Sequence, residues 1–328
     1  MEENRSSHFW NARAVTRAYY MVKPLIPRWA QIRMRRFVIK RALPRLASVW
    51  PIDERAAAPP EGWQGWPRGK RFALVLTHDV ESEKGVRRCR RLAEMERDLG
   101  FRSSFNFVLK KYSTPAELRS YLIGNGFEVG LHGCYHDGKK FSSREIFLER
   151  ARIINRHLDE WNAVGFRSPS MHCNLDWIGD LDIEYDLSTF DTDPFEPHAG
   201  GTGTIFPFLV QRKGNAPPFV ELPYTLPQDF TPFVLLGEKT NAIWRRKLDW
   251  IVEKGGMALV NVHPDYMAFD GARSGVDEYP AAIYEDFLLY LKERYQDEFY
   301  HCLPKDLALL FSGGAHSTEQ HERGEIRP

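Results

Sequence analysis

Two histidines stand four residues apart in His132-Gly133-Cys134-Tyr135-His136, directly after the apolar run 127–131. On a helix such a pair shares one face, and a tight turn can also bring the rings together, so both imidazoles can reach one ion. In a chain with 11 histidines the competing reading is two polar side chains at the end of a strand. Three further groups weigh against it. Asp79 and Glu81 follow the apolar run 72–77. Residues two apart in extended chain point the same way, so these carboxylates can face one site together. His263 follows the apolar run 257–262. A His-His-carboxylate set with an open position suits Zn2+, and also Co2+, Fe2+ or Mn2+. A further carboxylate can act as general base on a water, and a separate histidine can protonate a leaving group. Together these parts describe metal-assisted hydrolysis. Taken singly, Asp79 or Glu81 also fits a helix N-cap, and His263 a satisfied histidine beside Pro264.

The elements that must carry these residues alternate. A strand over 72–77 leads to a helix over 85–99 closed by Gly100, then a strand over 101–109 and a helix over 115–125 closed by Gly126. The third strand, 127–131, ends in the histidine pair. The pattern predicts a third helix over 143–162, with Ser142 or Ser143 as N-cap and Glu145 near its third position. Gly165-Phe166-Arg167 opens a fourth short strand. Such units imply parallel strands with crossover helices, and a site at the strands' C-terminal mouth. Residues 191–236 break the rhythm as an insertion or hairpin layer, with short strands at 205–210 and 219–222. The alternation resumes with a helix over 241–254, a strand over 257–262, a helix over 280–296 and a final element at 302–311.

These strand ends resemble the polysaccharide deacetylases, the NodB-homology group of carbohydrate esterase family 4, from about 72 to 263 and beyond. The family's first motif, a strand followed by Thr-Phe-Asp-Asp, reads Thr77-His78-Asp79-Val80-Glu81 here, the Asp-Val-Asp/Glu form of some branches. By resemblance Asp79 is the catalytic base. The family's metal-binding second aspartate falls at Val80, so Glu81 takes that role. His132 and His136 match the second motif as metal ligands, with Gly133 in place of the usual hydroxyl residue and its hydrogen bond. Arg167-Ser168-Pro169 matches the third, whose arginine braces the catalytic aspartate; the amide after the proline, here Ser170, helps hold an oxyanion. Tyr185-Asp186-Leu187-Ser188 resembles the fourth, whose aspartate supports the catalytic histidine. The fifth, an apolar strand leading to histidine, matches 259–263 and makes His263 the acid.

The resemblance implies an α/β fold, a deformed (β/α) barrel over 71–311. It implies a hydrolase of non-peptide carbon–nitrogen bonds that removes an N-acetyl group from an amino sugar or glycan precursor. The cofactor it implies is a divalent metal, Zn2+ before Co2+, Fe2+ or Mn2+. The alternatives are an allantoinase-like hydrolase of another C–N bond, with or without metal, and a non-catalytic carbohydrate-binding member. The presence of base, histidine pair and His263 argues against the last. Trp177, Tyr224, Phe230 and Tyr266 are aromatic candidates for a sugar groove or for core.

Composition bounds the rest. A 328-residue chain with 43% apolar residues can bury a sizeable core, and a net charge of +1 argues against a nucleic-acid binder. The four cysteines form no CxxC pair, so a reducing compartment is the simpler expectation. No signal-peptide order opens the chain, and a cytoplasmic location is expected. Residues 1–50 carry eleven Lys or Arg against Glu2 and Glu3. They predict a basic helical extension with helices at 9–22 and 28–43 and boundaries at Pro24, Pro27 and Pro44. Its charges segregate poorly on a helical wheel: Arg33, Arg36 and Lys40 share a face that Arg35 and Arg41 leave. Peripheral contact with the inner face of a membrane competes with an arm packed on the main domain. Residues 51–70 read as a Pro/Gly-rich linker whose tryptophans dock on the domain that follows, and 312–328 as a disordered tail.

Overall fold

The computed structural model describes residues 26–196, 201–269 and 275–321. The helix expected at 9–22 lies outside them. Among the described residues eleven strands follow one another: β1 (Phe72–Val80), β2 (Ser104–Phe107), β3 (Glu128–Leu131), β4 (Gly165–Phe166), β5 (Tyr185–Asp186), β6 (Phe208–Val210), β7 (Phe219–Glu221), β8 (Met257–Val262), β9 (Met267–Ala268), β10 (Tyr279–Pro280) and β11 (Phe299–His301). Strand β1 is the axis of the sheet. One edge pairs with β11 and then β2; the other pairs with β8. From β2 the parallel order continues through β3, β4, β5 and β7, and β6 folds back antiparallel on β7. Beyond β7 the chain returns to β8, where the Thr225 amide donates to the Leu259 carbonyl at 3.1 Å and Thr225 Oγ1 donates to the Met257 carbonyl at 2.7 Å. The sheet thus curls into a deformed (β/α) barrel, the expected α/β class. All nine residues of β1 are buried, as a strand covered on both faces requires.

The crossover helices follow their sequence signals closely: α2 (Glu83–Asp98), α3 (Ala116–Gly124) and α4 (Arg144–Trp161). Ser143 caps α4 by accepting from the Ile146 amide at 3.3 Å, which satisfies one of the helix's orphan donors. A single turn, α5 (Leu175–Ile178), precedes β5; α6 (Ala242–Lys254) and α7 (Ala282–Tyr295) flank β8 and β10. The last helix, α8 (Pro304–His321), continues into residues expected to form a disordered tail.

Helix α1 (Arg28–Leu46) contains Pro44 instead of stopping at it. The proline sits in the last turn, where its missing N–H strands only the carbonyl of exposed Lys40. Arg36 clamps this helix to the core, its Nε donating to the Val234 carbonyl at 2.9 Å. Val234 belongs to a π-helical turn, Phe230–Leu236. Residues 51–70 lie folded against the barrel: Trp50 and Trp66 are buried, and Trp66 Nε1 donates to the Gly255 carbonyl at 2.8 Å. Among the described residues no helix is long and apolar enough to cross a membrane.

One glycine fixes how the β3 loop meets the β4 loop. Gly133 has φ +71°, and a Cβ there would stand 2.8 Å from Pro169 Cδ. A hydroxyl residue therefore does not fit, which accounts for glycine at this position. Left-handed backbone costs a non-glycine residue roughly 1–2 kcal/mol, and overpacking roughly 1–3. Gly133→Ala is expected to lower stability by about 2–4 kcal/mol, read as a lower urea midpoint at unchanged slope. A loss under about 1 kcal/mol would show that the Pro169 contact yields easily.

Candidate active site

The period-2 alternation of β1 decides which side chains reach the mouth. Val80 points into the apolar core, while Thr77, Asp79 and Glu81 share the opposite side. From β3 come His132 and His136, from β4 Arg167, and from β8 Asn261 and His263. Asp79, Glu81, His132, His136, Ser170 and His263 all line one cavity of about 690 Å³.

Asp79 is held beneath this cavity, 2% exposed. Its Oδ1 accepts from Arg167 Nη1 and from Asn106 Nδ2, both at 3.2 Å, and its Oδ2 accepts from Asn261 Nδ2 at 2.9 Å. Oδ1 is thereby filled, and Oδ2 keeps one lone pair. Burial alone would raise this carboxyl, but Arg167, His132 and His263 together with the Asn261 hydrogen bond outweigh it and hold Asp79 well below the usual carboxylate range. Arg167 is fully buried. Its Nη1 also donates to Thr77 Oγ1 at 2.9 Å and Asn261 Oδ1 at 2.6 Å, and its Nε to the Leu187 carbonyl at 2.9 Å.

Glu81, His132 and His136 each offer one ligand atom, all within 4.8 Å of one another. Glu81 Oε1 lies 2.7 Å from His136 Nε2, yet that nitrogen has no hydrogen-bond partner among the described residues, so the contact is misaligned for an N–H donor. Both ring nitrogens of buried His132 are likewise unpartnered, Nδ1 standing 3.7 Å from Asp79 Oδ1. Burial lowers His132 to about 4, against the attraction of Asp79. The ring is therefore neutral and its lone pair available, the form a metal needs. Orphaned, buried imidazole nitrogens beside a carboxylate fit a divalent ion. Tyr266 Oη steadies the other Glu81 oxygen at 2.7 Å, and the Glu81 amide donates to Asp265 Oδ2 at 2.8 Å. Gly85 lets Asp265 come that close: a Cβ there would meet Oδ2 at 2.3 Å.

His263 behaves in the opposite way. Its Nδ1 contacts Asp229 Oδ1 at 2.7 Å, and its own amide donates to Asp229 Oδ2 at 2.8 Å. Tyr279 Oη donates to the same carboxylate at 3.0 Å. Burial would lower His263, but Asp229, with help from Glu81 and Asp79, raises it to about 10. At neutral pH it is an imidazolium.

The expectation for Asp186 is corrected here. Asp186 on β5 stands in register with Glu221 on β7, not with the carboxylate at His263. Its Oδ1 accepts from Ser188 Oγ at 2.7 Å, and burial pushes both the Asp186 and Glu221 carboxyls up. The carboxylate paired with His263 is Asp229, from the chain that follows the hairpin. Sequence reading also passed over Asn106 and Asn261. Asn261 was discoverable, since it lies two residues before His263 on one strand. Asp229 lies in irregular chain with no spacing to mark it. Ser170 adopts φ 57° in the turn after Pro169 and is exposed to the cavity. Of the aromatic candidates, Tyr224 is fully buried and Trp177 packs against Phe141 and Phe147. Phe230 and Tyr266 line the cavity, their rings 4.8 Å apart.

Removing one member of a buried ion pair strands the other, at about 3–5 kcal/mol. Arg167→Met is expected to destabilise the chain by about that amount, measured by denaturant unfolding. A change below about 1 kcal/mol would mean water reaches Asp79 in its place.

No protein-family model and no curated protein sequence matches this chain. Its likeness is to solved structures. A Mycobacterium smegmatis protein assigned as a polysaccharide deacetylase superposes with TM-score 0.58 at 17% identity, covering 82% of this chain and 99% of that one. Puue allantoinase superposes with TM-score 0.59 at 16% identity, covering 80% and 98%. A Pseudomonas aeruginosa PAO1 protein, also assigned as a polysaccharide deacetylase, gives 0.51 at 17% identity, covering 85% and 100%. The chain therefore has the deformed (β/α) barrel fold that these deacetylases and the allantoinase share.

Proposed function

We propose that this chain is a metal-dependent hydrolase that removes the N-acetyl group from an amino sugar or glycan precursor. The observation that carries the reading is the facing of two oppositely tuned imidazoles: His132, neutral beside His136 and Glu81, and His263, protonated on Asp229. Glu81, His132 and His136 would hold a divalent ion, with Zn2+ the best match to a mixed nitrogen and oxygen set. Such an ion supplies Lewis acidity, acidifying a water and polarising an acyl oxygen.

The chain's own groups supply the proton transfers. Asp79 accepts the proton of the attacking water on the free lone pair of Oδ2. The water oxygen bonds to the acetamide carbon, and the Ser170 amide faces the oxygen that gains negative charge. The C–N bond breaks as His263 gives its Nε2 proton to the departing amine, leaving acetate and an amino sugar. Arg167, Asn106 and Asn261 keep the Asp79 carboxylate anionic and aimed. The deacetylases among the fold neighbours support the substrate class. The unpartnered imidazoles favour this reading over the metal-free hydrolysis of another C–N bond. The proposal extends to a cytoplasmic precursor handled near an anionic membrane: the outer side of α1 exposes Trp29 and Phe37 in alternation with Arg33 and Arg41, a pattern suited to such a surface.

Metal analysis and acetate release on one preparation test the proposal. Asp79→Asn should keep the metal and lose turnover by on the order of 10²–10⁴-fold, whereas Glu81→Gln should lower metal content. A metal-free wild type, or full activity in Asp79→Asn, would overturn it.

The pH profile tests the acid. His263 must be protonated to act, so activity is expected below about 10 and lost as pH rises through that value. The same shift stabilises the fold fully below the ordinary histidine value of 6.5, and this support is lost as pH rises through about 10. Asp229→Asn removes the main raising charge and leaves only Glu81 and Asp79 against burial, so the alkaline limb of kcat/KM should move to lower pH. An unmoved limb would assign that limb to another group.

A further inference from the structure

Helix α1 does more than pack on the barrel. Arg28, Gln31, Arg35 and Ile39 all line the cavity that holds Asp79 and His263. Their spacing of three, four and four residues is one continuous stripe of an α-helix. The helix is therefore one wall of the cavity, and it carries charge into it.

Four Lys or Arg side chains line this cavity, and they differ in their partners. Arg28 pairs with Asp277 at 3.2 Å, and Lys84 with Glu278 at 3.3 Å. Arg35 and Lys111 make no ion pair among the described residues. Arg35 lies over the Phe230 ring at 5.0 Å, and that ring packs on Tyr266, itself 5.0 Å from the His263 ring. A chain of ring contacts thus joins Arg35 to the proton donor. The carboxyl that attracts Arg35, Glu196, is itself raised to about 7 by burial and then by Asp193. It neutralises the guanidinium only in part. A half-buried guanidinium that is fixed by a ring face, has no carboxylate at ion-pair distance among the described residues and faces a reaction cavity is suited to a planar, bidentate oxyanion.

We propose that Arg35 is a specificity-determining residue that binds an oxyanion, phosphate or carboxylate, carried by the substrate. The inference deepens the deacetylase reading and rests on it. The substrate is accordingly an anionic acetamido sugar, not a neutral polymer threaded across an open groove, and α1 is part of its binding site.

The test uses the full chain as wild type, Arg35→Gln and Arg33→Gln, the last on the outer face of the same helix. The first readout needs no catalysis: thermal stabilisation by inorganic phosphate. It should appear in wild type and Arg33→Gln, with apparent affinity reduced about 10–100-fold in Arg35→Gln. The second readout is kcat/KM for an acetamido sugar with and without a phosphate. The preference for the phosphorylated sugar should fall by a similar factor in Arg35→Gln, mainly through KM. The same sugar bearing a carboxylate tells which oxyanion is favoured. No phosphate response in wild type, an equal response in Arg35→Gln, or an unchanged preference would overturn the proposal. A response lost in Arg35→Gln without acetate from any sugar would retain the anion site and overturn the deacetylase reading instead.

Discussion

A carboxylate kept charged out of water is the constraint on which this molecule is built. Removing Asp79 from solvent would by itself drive it to bind a proton, since an isolated buried charge is far more costly than a neutral carboxyl. The barrel answers with a guanidinium from β4, an amide from β2 and another from β8, each reaching the strand at its centre. Those three contacts tie four strands to one side chain. The curl of the sheet is thus also the arrangement that brings donors around Asp79 from both edges of β1. Stability and chemistry are inseparable at this point: the interactions that make the carboxylate tolerable in the core also leave a single lone pair facing the cavity.

The two imidazoles show how one environment produces opposite proton affinities. Both rings are buried, and burial disfavours the cation in each. His132 has Asp79 nearby, but that charge is already balanced by Arg167, so desolvation wins. His263 has Asp229 to itself at direct contact. An opposite charge at about 4 Å contributes roughly 4 kcal/mol at an effective dielectric near 20, or about three units of pKa. With the Asp229 hydrogen bond and the nearby Glu81 and Asp79 added, this outweighs burial, and the ring stays charged. A neutral ring suited to a metal and a charged ring suited to donate a proton therefore stand in the same cavity because their carboxylates differ in partners.

Much of this arrangement was legible in the sequence. Short apolar runs broken by glycines gave the strands and helices to within a few residues, and each run ended in a polar residue that the barrel carries to its mouth. That Asp79 and Glu81 face one side together could be read from alternation. Asp186 failed for a reason that is also physical. Its strand position is real, but a residue's neighbours across a sheet depend on which strand pairs next, and the register of β5 on β7 turns Asp186 toward Glu221. Asp229 lay in a segment whose conformation follows from tertiary packing, without local periodicity. The linker reading of 51–70 described its composition well, yet Trp66 sits in the core and Trp63 packs half-buried against it, as apolar rings of that size usually do. The reach of α1 into the cavity was invisible, because the contact spans nearly two hundred residues.

That span has a consequence for how the molecule is made. Arg36 and its acceptor Val234 are separated by 198 positions. At about 5–20 residues per second, the ribosome needs roughly 10–40 seconds to deliver the second after the first. Through that interval Arg36 lacks the carbonyl that fastens the helix in the folded chain. The first described helix of the chain to be synthesised is thus among the last to find its place. Its docking converts an open barrel end into a bounded chamber, so the chamber is complete only when nearly all of the protein has left the ribosome.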